Sequence, residues 1–347
     1  MKVKGVSSKI LAIETSCDET SAAIVKMSGS KLEILSSVVS SQINIHKKYG
    51  GVVPEVAARH HVKNILPVIA ESLETAKLKP NQLDLIAVVS GPGLITSLIV
   101  GLEAAKALSL AWQKPLLSVN HMYAHIAANF LFPIKFPALC LVVSGGHTEL
   151  VYLKNYWQNK KIGQTVDDAA GEAFDKVAKL LNLGYPGGPI VSNLAEKFVG
   201  SKSRLNFPRP MLDSSDFNFS FSGLKTAVLY KIQKMKPQEI KTRTAEICYE
   251  FQEAAVEVLV KKTIKAAKKY KCKTVIMAGG VAANRRLRGD LRSAADNNGY
   301  NFSVPEFKLC TDNAAMVAIA ASFLSQQKKV SLDNWKKIKV DPNWELN

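Results

Sequence analysis

Cysteine is scarce in this sequence of 347 residues, and no two cysteines stand in C-x-x-C spacing. The five are odd in number and widely scattered: Cys17, Cys140, Cys248, Cys272 and Cys310. This pattern excludes a disulfide framework and a thiolate zinc site of ordinary spacing. We expect the cysteines to be buried thiols.

The sequence also lacks an uninterrupted apolar run of the roughly 18 to 20 residues that a membrane span needs. Its richest apolar stretch, Leu94 to Trp112, contains Ser97, Glu103 and Lys106. The N-terminus reaches polar Glu14 soon after its first apolar residues, which is too early for a signal-peptide core. We therefore predict a cytoplasmic protein without a transmembrane segment and without a membrane partner.

Acidic residues are in deficit, with 29 Asp and Glu against 46 Lys and Arg, which gives a net charge of +17. A field of that sign concentrates polyanions such as nucleic acid. Many of the lysines stand in separated pairs, which are more typical of solvated faces than of a binding stripe. Charge alone therefore leaves nucleic-acid binding and plain solubility both open.

The length and the 47% hydrophobic content are sufficient for a buried core and predict two domains. Lys9 to Val25 has the pattern of a strand, a turn and a returning strand, and Ala138 to Val143 is a second apolar strand. Leu94 to Trp112 predicts a buried helix, and Arg243 to Lys269 predicts a long one. Ser201 to Gly223 is irregular. Strands that alternate with helices indicate an α/β fold.

Three apolar strands end in turns of small residues: Ile13 to Ser16, Val142 to Gly146 and Val275 to Gly280. Such turns let backbone N–H groups approach phosphate oxygens, and a helix that follows adds the positive end of its dipole. Each turn alone is also common as a simple connection in α/β folds. Three in order favour a nucleotide site, although none is a Walker loop or a G-x-G-x-x-G fingerprint.

The string HMYAH places His121 and His125 one helical turn apart on the same face. This spacing suits two imidazoles on one metal ion, provided that a third ligand exists. The alternative is a pair of ordinary histidines that are partly buried or cap a helix. A zinc protease is disfavoured, because Met122 stands where H-E-x-x-H requires a glutamate.

A set of acidic and amide residues stands near predicted helix starts, where helix capping explains most of them. The set is Asp18, Asp167, Asp168, Glu172, Asp175, Asn284 and Asp312. Asn284 and Asp312 in particular are N-caps by their position alone. Lys225 suits a phosphate contact, with a solvated surface lysine as the alternative.

Taken in order, eleven strings in this sequence resemble the family of tRNA adenosine threonylcarbamoyltransferases along nearly the whole chain. The strings are IETSCDET, YGGVVPE, GPGL, NHMYAH, LVVSGGHTEL, DDAAGEAFDK, YPGGP, FPRPM, FSFSGLKT, MAGGVAAN and CTDNAAM. The resemblance implies an actin-like, sugar-kinase-like ATPase fold, with two related α/β domains around a nucleotide cleft. Residues 1–135 with 311–347 would form the domain that carries the histidines, and residues 136–310 would form the other.

The resemblance also implies a set of binding residues. His121, His125 and Asp312 would hold one divalent metal ion per subunit, Fe²⁺ or alternatively Zn²⁺. An adenine nucleotide and the substrate would contact Val142, Val143, Ser144, Gly145, Gly146, Asp175, Gly188 and Asn284. Ser192 stands where many members have an aspartate, so a hydroxyl could keep one hydrogen bond there but not the charge.

The implied reaction transfers a threonylcarbamoyl group from threonylcarbamoyl-adenylate to the N6 amine of the adenosine 3′-adjacent to the anticodon, in tRNAs that read codons beginning with A. AMP is released. We hypothesise that Glu14 acts as the base, although a carboxylate at this strand end could equally orient a water on phosphate. The implied partners are tRNA, a shorter inactive paralogue that forms a dimer with the enzyme, and a small P-loop ATPase.

Two other functions remain open at the level of sequence. One is an ATPase or kinase of the same fold, which uses the glycine turns but gives no role to a His-His-Asp metal site. The other is a nucleic-acid-binding scaffold, which only the charge supports. Metal content distinguishes the transferase from both.

Overall fold

The computed structural model describes residues 7–200, 203–327 and 330–346. Residues 1–6, which belong to the N-terminal stretch on which the signal-peptide prediction rests, lie outside the described residues. The first two residues of the predicted irregular region 201–223 lie outside them as well. The chain divides into two compact units. Unit 1 comprises Met1–Pro133 and Lys308–Asn347, and unit 2 comprises Ile134–Phe307. From the sequence, the boundaries between the two domains are predicted at residues 136 and 311.

Each unit contains one five-stranded sheet in the described part of the chain. The strands are β1 Ser8–Glu14, β2 Glu19–Ser28, β3 Lys31–Ser41, β4 Leu85–Gly91, β5 Leu116–Asn120, β6 Ala138–Val143, β7 Thr148–Leu153, β8 Asn159–Gln164, β9 Thr274–Ala278 and β10 Asn301–Ser303. The sheet order is β3-β2-β1-β4-β5 in unit 1 and β8-β7-β6-β9-β10 in unit 2. In both sheets the first three strands are antiparallel neighbours, and the last two run parallel to the first. The two units therefore share one topology.

Helices connect and cover these strands. They are α1 Ile43–His46, α2 Pro54–Thr75, α3 Ile95–Trp112, α4 His121–Ala127, α5 Ala170–Leu180, α6 Gly187–Ala195, α7 Ser222–Gln233, α8 Pro237–Lys269, α9 Arg285–Asn297 and α10 Ala314–Gln327. The central strands β1, β4, β6 and β9 are buried almost throughout, which explains their continuous apolar sequence. The predicted α/β architecture is confirmed.

Helix α3 is long and apolar enough to cross a membrane by length and composition alone, and it is the one described helix that meets this test. Core helices of globular proteins meet it too, so the finding is weak evidence. Leu102 and Ala105 pack in the core of unit 1, whereas Ile95 and Ile99 are exposed. The expectation of a buried helix is therefore correct for one side only.

The string GYPGGP is dense in Gly and Pro and by itself predicts a loop, but helix α6 begins inside it at Gly187, so this prediction is wrong in part. Its first amides, on Gly187 and Gly188, donate to Oδ1 of Asp175 at 2.7 and 3.3 Å. A carboxylate on α5 thus satisfies the N–H groups that the first turn of a helix leaves unpaired. The start of α6 is set by a residue distant in sequence, so local turn signals misplace it.

Candidate functional site

The two histidines of unit 1 are positioned by the start of α4. Asn120 ends β5, and its side-chain oxygen accepts a hydrogen bond from Tyr123 N at 3.1 Å, which caps the helix. His121 is therefore the first residue of α4, and His125 follows one turn later on the same face. Their ring centroids are 4.6 Å apart, and both side chains are almost fully buried.

Asp312 joins these histidines because it is not the cap of the last helix. The amide of Met316 donates to Oδ1 of Asn313 at 2.9 Å, so Asn313 caps α10 and the capping interpretation of Asp312 is wrong. Oδ1 of Asp312 lies 3.0 Å from Nε2 of His125 and 3.6 Å from Nε2 of His121. One ligand atom from each residue lies within 4.8 Å of the other two.

This donor set fits a divalent transition-metal ion. Two imidazoles and one carboxylate are typical ligands of Fe²⁺ and Zn²⁺. Nδ1 of His121 lies 3.1 Å from Oε2 of fully buried Glu14 and 3.1 Å from Oγ of Ser16, which leaves Nε2 facing Asp312. Nδ1 of His125 is buried and has no hydrogen-bond partner in the part of the chain that the structure describes. Glu14 therefore fixes the orientation of the His121 ring, as carboxylates often do for histidines at metal sites.

Negative charge is concentrated around this set. Burial alone would lower the pKa of His121, but the carboxylates of Asp312 and Glu14 outweigh it and raise the pKa to about 9. Burial, Asp312 and Asp18 raise the pKa of Glu19 to about 10. Among the described residues, no lysine or arginine forms an ion pair with Glu14, Asp18 or Glu19. The site has an excess of acidic groups that a cation would neutralise.

Unit 2 contains a cavity of about 360 Å³ whose lining includes five of the predicted substrate residues: Gly145, Asp175, Gly188, Ser192 and Asn284. Volumes of this order are typical of small-molecule sites. The other predicted positions of the β6 turn lie outside the lining. Val142 and Val143 are fully buried in β6, and Ser144 and Gly146 flank Gly145.

Two glycines let other backbone segments approach this turn closely. Gly279, after β9, has a φ of +90°, and a Cβ there would lie 2.4 Å from the carbonyl oxygen of Val143. A Cβ on Gly171, in the first turn of α5, would lie 2.5 Å from the carbonyl oxygen of Ser144. Side chains at either position would displace the turn. The absence of a side chain at these two glycines thus allows the backbone to pack closely against the turn that carries Gly145.

Asp175 combines two features at the cavity. Burial raises its pKa, while the hydrogen bonds from Gly187 and Gly188 act in the opposite direction. The same bonds join α5 to the start of α6. Asp175 therefore shapes the wall of the cavity as well as lining it.

Sequence reasoning missed one polar residue behind the cavity, Gln252 of α8. It is buried, and its Oε1 accepts hydrogen bonds from Ser192 Oγ at 2.8 Å and from Asn284 Nδ2 at 2.9 Å. Asn284 Nδ2 also donates to Ser192 Oγ at 2.7 Å, and Asn284 Oδ1 accepts from Leu287 N at 2.9 Å. The predicted N-cap role of Asn284 is confirmed. The available signal is a glutamine in the largely apolar string FQEAAVEVLV, since a buried amide needs hydrogen-bond partners.

Solved structures with the same architecture define the class. HypF of T. kodakarensis superposes with a TM-score of 0.63 at 19% identity, over 92% of this chain and 47% of HypF. Component A of the (R)-2-hydroxyglutaryl-CoA dehydratase of Acidaminococcus fermentans gives 0.52 at 16% identity, over 93% of this chain and 100% of that one. At these identities the likeness shows the fold alone. The protein has the predicted actin-like, sugar-kinase-like α/β fold.

Sequence comparison narrows the class to one family. The profile of TsaD, tRNA N6-adenosine threonylcarbamoyltransferase, matches residues 33–319. The enzyme of that name from Thermosipho africanus is 50% identical over 94% of this chain and 96% of its own length. Its counterpart from Staphylococcus saprophyticus is 51% identical over 91% of each chain. The chain belongs to the tRNA N6-adenosine threonylcarbamoyltransferase family, as the eleven strings predicted, and its activity is that of a transferase that modifies tRNA.

Proposed function

We propose that the protein transfers the threonylcarbamoyl group of threonylcarbamoyl-adenylate to the N6 amine of the adenosine 3′-adjacent to the anticodon, in tRNAs that read codons beginning with A. The amine nitrogen bonds to the carbamoyl carbon, the bond from that carbon to the phosphate oxygen breaks, the amine loses a proton, and AMP leaves. The observation that supports this function best is the convergence of His121, His125 and Asp312 in a member of this family.

These three residues would hold one divalent ion, with Fe²⁺ as the expected metal and Zn²⁺ as the alternative. When bound, such an ion supplies positive charge to phosphate or carbamoyl oxygens. We propose that Glu14 acts mainly on His121: its Oε2 faces Nδ1, and its Oε1 accepts from the amide of Ser16. With both oxygens engaged and no exposure, Glu14 is better placed to orient His121 than to take a proton from a large acceptor such as tRNA.

We propose that the nucleotide part of the substrate binds in the cavity of unit 2. The amides of the Ser144–Gly146 turn would bind phosphate or a developing oxyanion, and its glycines are exposed. The cavity lining combines apolar residues with polar and charged side chains, which are those of Asp175, Ser192, Asn193, Glu196, Asn284 and Arg285. Ser192 takes part in a neutral hydrogen-bond network with Gln252, in place of the carboxylate common at this position.

The net charge of +17 supports tRNA as the macromolecular substrate, held mainly through its phosphates. We therefore expect tRNA affinity to fall steeply as salt rises, and a cytoplasmic location follows from this substrate. Affinity that stayed flat through the physiological range would exclude the surface lysines as the platform.

Exposed apolar side chains on α2 and α3, two helices that pack against each other, support the proposed dimerising paralogue. Val62 and Leu66 lie one turn apart on α2, Ile95 and Ile99 lie one turn apart on α3, and all four are exposed. Such side chains on two adjacent helices suit a partner that offers a similar pair of helices. The small P-loop ATPase is proposed as the second partner.

The test is a reconstituted assay with this chain, separately prepared threonylcarbamoyl-adenylate and unmodified tRNA, followed by nucleoside mass spectrometry and metal analysis. We expect modified adenosine and bound metal with the wild type, and neither with His121→Ala. His60→Ala, outside the metal set, should keep its metal. No product even with the partner subunits present, together with ATP turnover, would favour the alternative of an actin-like-fold ATPase or kinase.

A further inference from the structure

Helix α9 carries a row of three arginines on one face. Arg285, Arg288 and Arg292 are spaced by three and then four residues, which places them one above another along the helix. A fourth arginine, Arg286, lies off this row. The row begins in the first turn of α9, directly after the Asn284 cap that lines the cavity of unit 2.

Two members of the row stack on aromatic rings of the protein. The guanidinium of Arg288 lies 4.1 Å from the ring centroid of Phe307, and that of Arg292 lies 5.0 Å from the centroid of Phe302. Arg286, off the row, instead pairs with Glu253 at 2.7 Å and with Asp290 at 3.1 Å. Each of these three arginines therefore has a partner within the protein.

Arg285 differs from its three neighbours. Within residues 7–200, 203–327 and 330–346, no aromatic ring stacks on it and no carboxylate pairs with it. Its side chain is exposed and lines the cavity, together with the apolar residues Phe174, Pro186 and Val281. Arg285 thus presents a planar cation to the cavity, and no aromatic ring of the described residues stacks on its guanidinium.

We propose that Arg285 is a specificity-determining residue that stacks on the planar base of the nucleotide in this cavity, so that the ligand supplies the ring which Phe307 and Phe302 supply further along the row. This assignment rests on the proposed function, which places an adenine nucleotide here. The delocalised guanidinium is weakly hydrated and flat, so it packs face to face with an aromatic system in a way that a lysine ammonium does not.

The experiment measures the affinity of the full chain for AMP by titration calorimetry, and for ribose 5-phosphate, which lacks the base, by displacement of AMP. Arg285→Ala should weaken AMP binding about five- to tenfold and leave ribose 5-phosphate unchanged. Arg285→Lys should recover only part of the loss. The matched control is Arg286→Ala, which should bind both ligands as the wild type does. An unchanged melting temperature of each variant would show that folding is intact.

Three results would overturn the assignment. They are an unchanged AMP affinity in Arg285→Ala, an equal loss for AMP and ribose 5-phosphate, and full recovery with Arg285→Lys, the last two of which would indicate a simple charge contact. Failure of the proposed nucleotide site is distinguishable from failure of this assignment, because the wild type itself would then show no AMP binding, whereas a wild type that binds AMP without transferring the threonylcarbamoyl group would leave the role of Arg285 to be decided by the variants.

Discussion

The two units contain carboxylates in opposite environments. In unit 1, no lysine or arginine of the described residues forms an ion pair with Glu19, and burial with the neighbouring carboxylates raises its pKa to about 10. In unit 2, burial acts to raise the pKa of Asp168, but Lys176 and Lys225 outweigh it and lower that pKa. The pKa of Glu246 is lowered mainly by its hydrogen bond from Arg243.

The difference indicates where each unit can bind charge. Crowded carboxylates without cationic partners cost free energy unless they are protonated or a cation binds among them. Unit 1 combines this excess of negative charge with two inward imidazoles, so it suits a metal ion. In unit 2 many of the carboxylates are already neutralised by side chains, and its cavity suits a ligand held by hydrogen bonds and stacking.

The largest expected effect is the loss of a ligand from unit 1. Asp312→Ala removes the oxygen that faces both Nε2 atoms, so bound metal should fall from about one ion per chain to near zero, and transferase activity should fall at least about 100-fold. Metal analysis after gel filtration measures the first effect. The matched control is Asp168→Ala, which removes a paired carboxylate of unit 2 and should retain the metal. If both variants kept their metal, the crowded carboxylates of unit 1 would not be the cause of metal binding, and the prediction would be wrong.

A second, smaller effect concerns the orientation of His121. In Glu14→Gln an oxygen can still accept from Ser16, but an NH₂ group then faces Nδ1 of His121 and favours the tautomer that carries its proton on Nε2, the nitrogen that faces Asp312. Metal affinity should therefore fall about 10- to 100-fold, as measured by competition with a chelator. A variant with normal metal affinity but a lost transfer rate would instead support Glu14 as the base. Full transferase activity would exclude the role as base.

Much of the fold could be predicted from sequence because its central strands are buried on both faces. Continuous apolar strings such as LAI and LIAVV identify β1 and β4 without tertiary information. Helix α6 could not be placed in this way, because Asp175 caps it from another helix while the local GYPGGP string favours a turn. The three-residue strand β10 has too few residues for a periodic signal.

The candidate site likewise contains residues that local sequence predicts and residues that only the fold brings together. The spacing of His121 and His125 follows from helix geometry, so local sequence predicts their shared face. Asp312 and Asn313 are equally good caps by local rules, and only the fold determines which of them is left to meet the histidines. Local sequence shows Gln252 only as a glutamine in a largely apolar helix, and it cannot identify its partners Ser192 and Asn284, which lie 60 and 32 residues away.

A third effect, smaller again, would sharpen the description of unit 2. Gln252→Leu removes the oxygen that accepts from Ser192 and Asn284, so AMP affinity should fall about three- to tenfold while metal content stays unchanged. Gln252→Glu keeps an acceptor and should bind AMP nearly as the wild type does. Calorimetry on the double variant Gln252→Leu/Asn284→Ala should give no more loss than Asn284→Ala alone. Additive losses would show that Gln252 acts independently of Asn284.

The smallest effect comes from acid acting on the ion pairs of unit 2. Glu246 accepts from Arg204 N at 2.7 Å and from Arg243 at 2.8 Å, so it attaches the segment near Ser203 to α8. Because the pKa of Glu246 is lower in the folded state than its usual value of 4.5, its contribution to stability is complete above that value and is lost as pH falls through the folded pKa.

Hydrogen exchange of this segment should therefore stay constant between pH 7 and about pH 5, and should rise about two- to fivefold near pH 3 after correction for the intrinsic rate. Arg243→Gln should make this acid-dependent rise smaller, because the pKa of Glu246 then loses its main cause of lowering and lies closer to its usual value of 4.5. Peptides of β1 serve as the reference within the same chain. An equal rise in the exchange rate of β1 would indicate global acid unfolding. The opposite pKa shifts of the carboxylates in the two units would then have no local effect on stability.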